Sequence, residues 1–236
     1  MLEDGLSYPT RGDNALGRIF IGGLLGVFSF LIIPGIALFG YLIRVLEDSA
    51  RDIEEPPAFE DWGGLIADGL KGVLVGIVYG IVPFVLLVSA IAVTGAGAAA
   101  ADRSAGGIIA SLGILGILVS VLVLIILYYL IPAALTNMAL EDRVGAAFEF
   151  GTLKRPLLSL DYFIAWLLPF VIAFLLNIAS FFLLFFTLGI GIIVLPFIQF
   201  YVQVSIFYMF GRAFGSVVEI GGSDIGDEDP GSESAV

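Results

Sequence analysis

Hydrophobic positions run through this chain in four long stretches that carry no charge, 19–43, 72–101, 104–140 and 162–211, and the 10 basic and 22 acidic residues all fall between or beyond them. About 20 consecutive apolar residues in a helix suffice to cross roughly 30 Å of hydrocarbon, so each stretch is long enough for at least one crossing. Backbone N–H and C=O groups in hydrocarbon must be satisfied within the segment or by a closed barrel, and these runs lack the alternation of barrel strands. The pattern therefore predicts an all-α chain, a polytopic membrane helical bundle. Its helical segments are expected at 15–31, 35–50, 62–94, 106–141, 161–187 and 190–218, with turns at 95–105 and 187–191. A polar arm (1–14) precedes this membrane domain (15–218), and an acidic tail (219–236) with Gly, Ser and Pro between its carboxylates is expected to be disordered.

One plan recurs three times: a Pro-containing polar approach, a helical hairpin and an acidic exit. The approaches are Tyr8–Asn14, Pro56–Trp62 and Pro156–Tyr162; the exits are Arg44–Asp48, Ala139–Asp142 and Val217–Glu219. The first unit is ambiguous, because 25 uncharged residues fit either one tilted span or two short helices meeting at Pro34-Gly35. With five spans, Lys and Arg divide seven to three across the membrane; with a first hairpin they divide nine to one, leaving only Arg103 outside. The positive-inside rule favours the second arrangement. The expectation is six segments in three hairpins, the first pair short or re-entrant, in the cell membrane with both termini cytoplasmic; five spans with an outside N-terminus is the alternative. Acidic residues before the first apolar run argue against a cleavable signal.

A mean hydropathy of +1.08 with 59% hydrophobic residues suits lipid as the solvent, since a water-soluble domain of this size would lack polar groups to cover its surface. There is no Cys and no His, which removes thiolate and imidazole chemistry together. No catalytic, cofactor-binding or metal-ligating set is expected; the acidic pairs Glu47/Asp48, Glu54/Glu55 and Glu60/Asp61 read most simply as solvated loops. A net charge of −12 argues against nucleic acid, or anionic lipid held through a polybasic patch. The nearly lysine-free acidic surface resembles that of halophilic archaeal proteins.

Two sets of residues stand out inside the apolar runs. Gly72, Gly76 and Gly80 form one small-residue stripe, repeated once each by Gly22/Gly26 and Gly211/Gly215; such stripes let helix backbones approach closely in lipid. They predict packing within the chain or a dimer face. Gln199 and Gln203 share a helix face and are placed to form an amide ladder with Asn177 of the preceding helix. Pro34, Pro83, Pro132, Pro169 and Pro196 interrupt or bound apolar helices, a feature also used by transporters to expose backbone to solutes. Asp61 is placed to cap the helix after it, with Asp68 and Lys71 paired one turn on. The favoured reading is a non-enzymatic integral membrane protein serving assembly, membrane organisation or partner binding. A small-solute transporter or channel built on the kinked helices and the amide face is the alternative. The partners to expect are the lipid bilayer and a second copy or another membrane protein.

The run Gly22-Gly-Leu-Leu, Pro34, Gly40-Tyr-Leu-Ile-Arg-Val-Leu and Pro57-Ala-Phe-Glu-Asp-Trp-Gly-Gly-Leu-Ile-Ala-Asp-Gly-Leu-Lys-Gly72 resembles the opening of an archaeal and bacterial membrane family called domain of unknown function 4013. The likeness is good over about residues 5–90 and looser to about 218. It implies a multi-pass membrane protein and brings no activity, ligand or catalytic residue with it. The acidic exit at Glu47 and Asp48 departs from the more basic character expected there, as a halophilic variant would.

Overall fold

The computed structural model describes residues 2–100, 102–188 and 190–218; the expected acidic tail at 219–236 lies outside them. Among the described residues there is no strand. The described residues form eight α-helices: α1 (Leu2–Ser7), α2 (Ala15–Val27), α3 (Ile32–Ala50), α4 (Trp62–Ala98), α5 (Arg103–Glu141), α6 (Phe150–Leu157), α7 (Leu160–Phe186) and α8 (Leu195–Gly215). Short 3-10 turns sit at Tyr8–Thr10, Val144–Phe148 and Ile190–Ile193.

Helix starts follow local chemistry. Asp61 caps α4 by accepting from Gly64 N at 3.0 Å, and Asp102 caps α5 by accepting from Ser104 N at 2.8 Å. Because α4 runs to Ala98 and α5 starts at Arg103, most of the turn expected over 95–105 is helical. Ser159 caps α7 by accepting from Tyr162 N. Pro34 and Pro196 occupy first turns, where a missing N–H costs nothing. Pro83, Pro132 and Pro169 lie inside α4, α5 and α7, which continue as helices through them.

Helices α4, α5 and α7, together with the 25-residue stretch Gly191–Gly215 that includes α8, are long and apolar enough to cross a membrane. Helix α4, with 37 residues, and α5, with 39, extend roughly 55–60 Å at 1.5 Å per residue. Helices α2 and α3 are different. The 13 residues of α2 are too few to span, and α3 carries Arg44, Glu47 and Asp48 in its second half. Between them Phe28 to Ile33 form an apolar tip at which Phe30, Ile32 and Ile33 are 75%, 78% and 67% exposed. Helices α2 and α3 thus pack as a helical hairpin with an exposed apolar tip.

Helix α3 is the axis of the packing, touching α2, α4, α5 and α8. Tyr41, Leu42, Ile43, Val45 and Leu46 are all buried on it. They meet Leu65 and Val75 of α4, Ala133 to Met138 of α5, and Phe200 to Phe214 of α8. Glycines make the close crossings. A Cβ on Gly40 would overlap the Leu65 carbonyl oxygen, and one on Gly69 would overlap the Ile36 carbonyl oxygen, so α3 and α4 meet backbone to backbone. Gly211 of α8 approaches α3 in the same way, with the Leu46 carbonyl 2.5 Å from where a Cβ would stand. The core thus occupies the half of the bundle holding the ends of α3, α5 and α8 and the starts of α4 and α7. Beyond it, α4, α5 and α7 expose Ile81, Phe84, Leu118, Leu122, Phe174 and Phe181 as lipid-facing surface.

Candidate functional site

The three amides do not form a ladder. Asn177 is exposed on α7 and donates its Nδ2 to the Ala173 carbonyl of its own helix at 2.8 Å. Gln199 and Gln203 face the first hairpin instead, lining with Gly26, Ser29 and Leu38 a small cavity of about 70 Å³. Among the described residues no hydrogen bond joins either glutamine to Asn177. Helical spacing put Gln199 and Gln203 on one face correctly; what it lacked was the rotation of α7 relative to α8.

The glycine stripe divides similarly. At Gly72 a Cβ would collide with Ile43 and Phe39 of α3, whereas Gly76 and Gly80 have nothing within 4 Å and look outward. The two minor stripes pack inside the chain, Gly22 against Phe200 and Gly215 against the backbone of Ala50.

Chemistry is concentrated at one end. Every charged residue described, apart from Asp102 and Arg103, lies in 3–18, 44–71, 141–161 or at Arg212, and bonds between elements bring these segments together. Arg18 pairs with Glu55 at 3.6 Å, Arg51 donates to the Leu140 carbonyl at 3.0 Å, and Arg212 pairs with Asp52. Arg44 reaches both Asp61 and Asp68 at 2.9 Å, and Lys71 reaches Asp68 at 3.3 Å and Asp142 at 2.5 Å. The Asp68–Lys71 pair expected from spacing is thus the middle of a chain of ion pairs that links α3, α4 and the end of α5.

Tyrosines seal the boundary below these charges. Tyr79 donates to the Ala147 carbonyl at 2.7 Å, Tyr129 to the Leu157 carbonyl at 2.6 Å and Tyr162 to the Tyr129 carbonyl at 3.1 Å. Asn137, 2% exposed, donates to the Ala146 carbonyl at 2.8 Å. In the 3-10 turn at 144–148, the buried carbonyls of Ala146 and Ala147 each accept from a side chain in this way, Ala146 beside the backbone N–H of Glu149.

A crevice of about 450 Å³ opens among these groups, lined by Arg44, Glu47, Asp48, Asp68, Lys71 and Asp142 over a floor of Ile43 and Met138. Both cations are already committed to ion pairs. Burial, and then the charge of Glu47, push the Asp48 carboxyl up to about 6, with Arg44 and Arg51 opposing. Asp48 has no hydrogen bond or salt bridge, so it is the carboxylate in the crevice open to an incoming donor. Among the described residues no group of three or more Asp or Glu converges as a metal-ligand set.

A bundle with four helices apt for spanning, a short apolar hairpin and a polar end tied by ion pairs defines a helical membrane protein. The chain belongs to the family described as "Protein of unknown function (DUF4013)", whose model matches residues 23–185. No curated protein and no solved structure matches it.

Proposed function

We propose that the protein is a non-enzymatic element of the cell membrane that presents one rigid, acidic platform at the cytoplasmic boundary for assembly with a partner. The observation that carries this reading is the one-sidedness of the polar groups. The turns at 28–31 and 187–194 bear no charge, while the opposite end gathers the ends of α3, α5 and α8 and the starts of α4 and α7 into one ion-paired surface. The division of Lys and Arg assigns that surface to the cytoplasm under the positive-inside rule, and with it both termini, since Gly5 of α1 packs on Met209 near the end of α8. An acidic surface that stays hydrated at high ionic strength fits a halophilic archaeal setting. The transporter reading rested on the proline-interrupted helices and the amide face, and the dispersal of Asn177 from Gln199 and Gln203 removes support from the second.

The absence of native cysteine makes the test clean. Single cysteines at Glu54 and Glu60, and at Ser104 in the far turn, are fitted with a photocrosslinker in native membranes. The platform reading expects one defined adduct from Glu54 and Glu60 and none from Ser104, with the cytoplasmic positions shielded from impermeant thiol reagents in intact cells. Only self-adducts at the platform, or labelling of Glu54 from outside, would refute it. Solute flux through reconstituted vesicles that vanishes in Gln199→Ala/Gln203→Ala would favour the alternative.

A further inference from the structure

Helix α6 and the turn after it hold charges that the ion-pair network does not use. At the polar end Arg11, Arg18, Arg44, Arg51, Lys71, Arg143 and Arg212 each reach a carboxylate. Lys154 and Arg155 do not: both are exposed, and neither side chain has a hydrogen bond or salt bridge among the described residues. They are neighbours on α6, where Gly151, Lys154, Arg155 and Leu158 share one face by helical spacing. Above Gly151 the space is open for at least 4 Å around where a Cβ would stand.

The inner face of α6 is held firmly. Leu153 and Pro156 are buried, and Tyr129 fixes the Leu157 carbonyl. Around the basic pair, Phe150, Leu158 and Leu160 are 60%, 76% and 71% exposed. Leu160 is the first residue of the spanning helix α7, so the chain itself holds α6 at the depth where headgroups meet acyl chains. Two unpaired cations beside exposed apolar side chains at that depth match an amphipathic lipid with a negative head, and match a free anion poorly, because water would leave the apolar flank uncovered.

We propose that the α6 face formed by Gly151, Lys154 and Arg155, flanked by Phe150, Leu158 and Leu160, is a binding site for the phosphate head of one anionic phospholipid. The net charge of −12 argues against a polybasic patch, and this site needs none. Because carboxylates dominate the rest of the polar end, they steer anionic lipid away from it and toward this one place.

The test uses the full-length protein in nanodiscs of phosphatidylcholine with phosphatidylglycerol as a minor component, with bound lipids counted by native mass spectrometry after release. Each basic residue near an anionic surface contributes about fivefold. The wild type is therefore expected to retain phosphatidylglycerol over phosphatidylcholine, and Lys154→Ala/Arg155→Ala to reduce that preference by roughly 10- to 30-fold. Both side chains are exposed and unpaired, so the variant should keep the thermal stability of the wild type. Arg103→Ala, at the far turn, is expected to leave the preference unchanged. Equal retention by the double variant, an equal loss in Arg103→Ala, or displacement of the lipid by millimolar inorganic phosphate would each overturn the assignment.

Discussion

Alanine in place of Gly40 should be among the most damaging single-methyl additions to this protein, and alanine in place of Gly76 among the most harmless. At Gly40 the new Cβ would overlap the Leu65 carbonyl oxygen and stand 2.8 Å from Gly69 N, both backbone atoms that cannot rotate away. Helices α3 and α4 would have to separate by about an ångström, and a radial gap of that size forfeits a quarter to a half of each dispersion contact along the crossing. Overpacking of this kind costs typically about 1–3 kcal/mol. The better helix propensity of Ala returns up to about 1 kcal/mol, leaving a net loss of about 1 kcal/mol, roughly fivefold in the folding equilibrium. At Gly76 and Gly80 nothing lies within 4 Å, so only the propensity gain of about 0.5–1 kcal/mol should register. The assay is reversible unfolding of the purified variants in mixed micelles by titration with denaturing detergent. Equal stability of Gly40→Ala and Gly76→Ala would refute the backbone crossing at Gly40. A loss at Gly76→Ala confined to high protein-to-detergent ratios would show that the stripe meets a second copy.

Asp48 supplies a pH dependence. Its folded carboxyl titrates near 6 against an ordinary value of 3.8, so the native state binds the proton more tightly than the unfolded chain and stability falls as pH rises through this interval. The charged groups around it are Glu47 and Arg44 on its own helix, Arg51 at that helix's C-cap, Asp68 and Lys71 on α4, and Asp142 after α5. After discounting for solvent screening of a half-buried group, Asp48→Asn should stabilise by about 1–2 kcal/mol at pH 7.5. That gain should shrink below pH 6 and vanish below about pH 4; a gain independent of pH would sink the reasoning. Asn137→Ala should leave the buried Ala146 carbonyl with the Glu149 N–H as its remaining donor, costing about 0.5–1.5 kcal/mol in the same unfolding assay, and an unchanged midpoint would contradict the role given to Asn137. Tyr79→Phe should act in the same direction through the Ala147 carbonyl, and faster deuterium exchange in 144–148 is its readout.

Long, uninterrupted features were legible in the amino acids, and short or mutual ones were not. The hairpins could be read because 72–101 and 104–140 lack charge for far more than one membrane thickness. Asp61 as a cap and Asp68 with Lys71 as a pair could be read because both depend on spacing within one helix. Helices α1 and α6, with six and eight residues, are too short for hydrophobic periodicity to register and are held by tertiary bonds such as Tyr129 to Leu157. Which glycines mattered was equally hidden. The stripe at Gly72, Gly76 and Gly80 has the right spacing, yet the tightest crossing uses Gly40 and Gly69, paired across two helices. The crevice lined by Asp48 and Asp142 joins residues 94 positions apart, and only the packing of α3 on α4 and α5 brings them together.

The uncharged tips of the first and third hairpins bear on how such a chain is put into a bilayer. Moving a carboxylate or guanidinium through hydrocarbon costs about 2.5–3.5 kcal/mol on insertion scales, so every ionic loop delivered to the far face makes a demand on the machinery of biogenesis. Within residues 2–218, and in the orientation proposed above, Asp102 just before α5 and Arg103 at its first position are the whole of that cargo. The first hairpin and the third can partition from the side of synthesis as greasy wedges, leaving a single small transfer step, made by α4 and α5 together, to commit the polypeptide to its orientation.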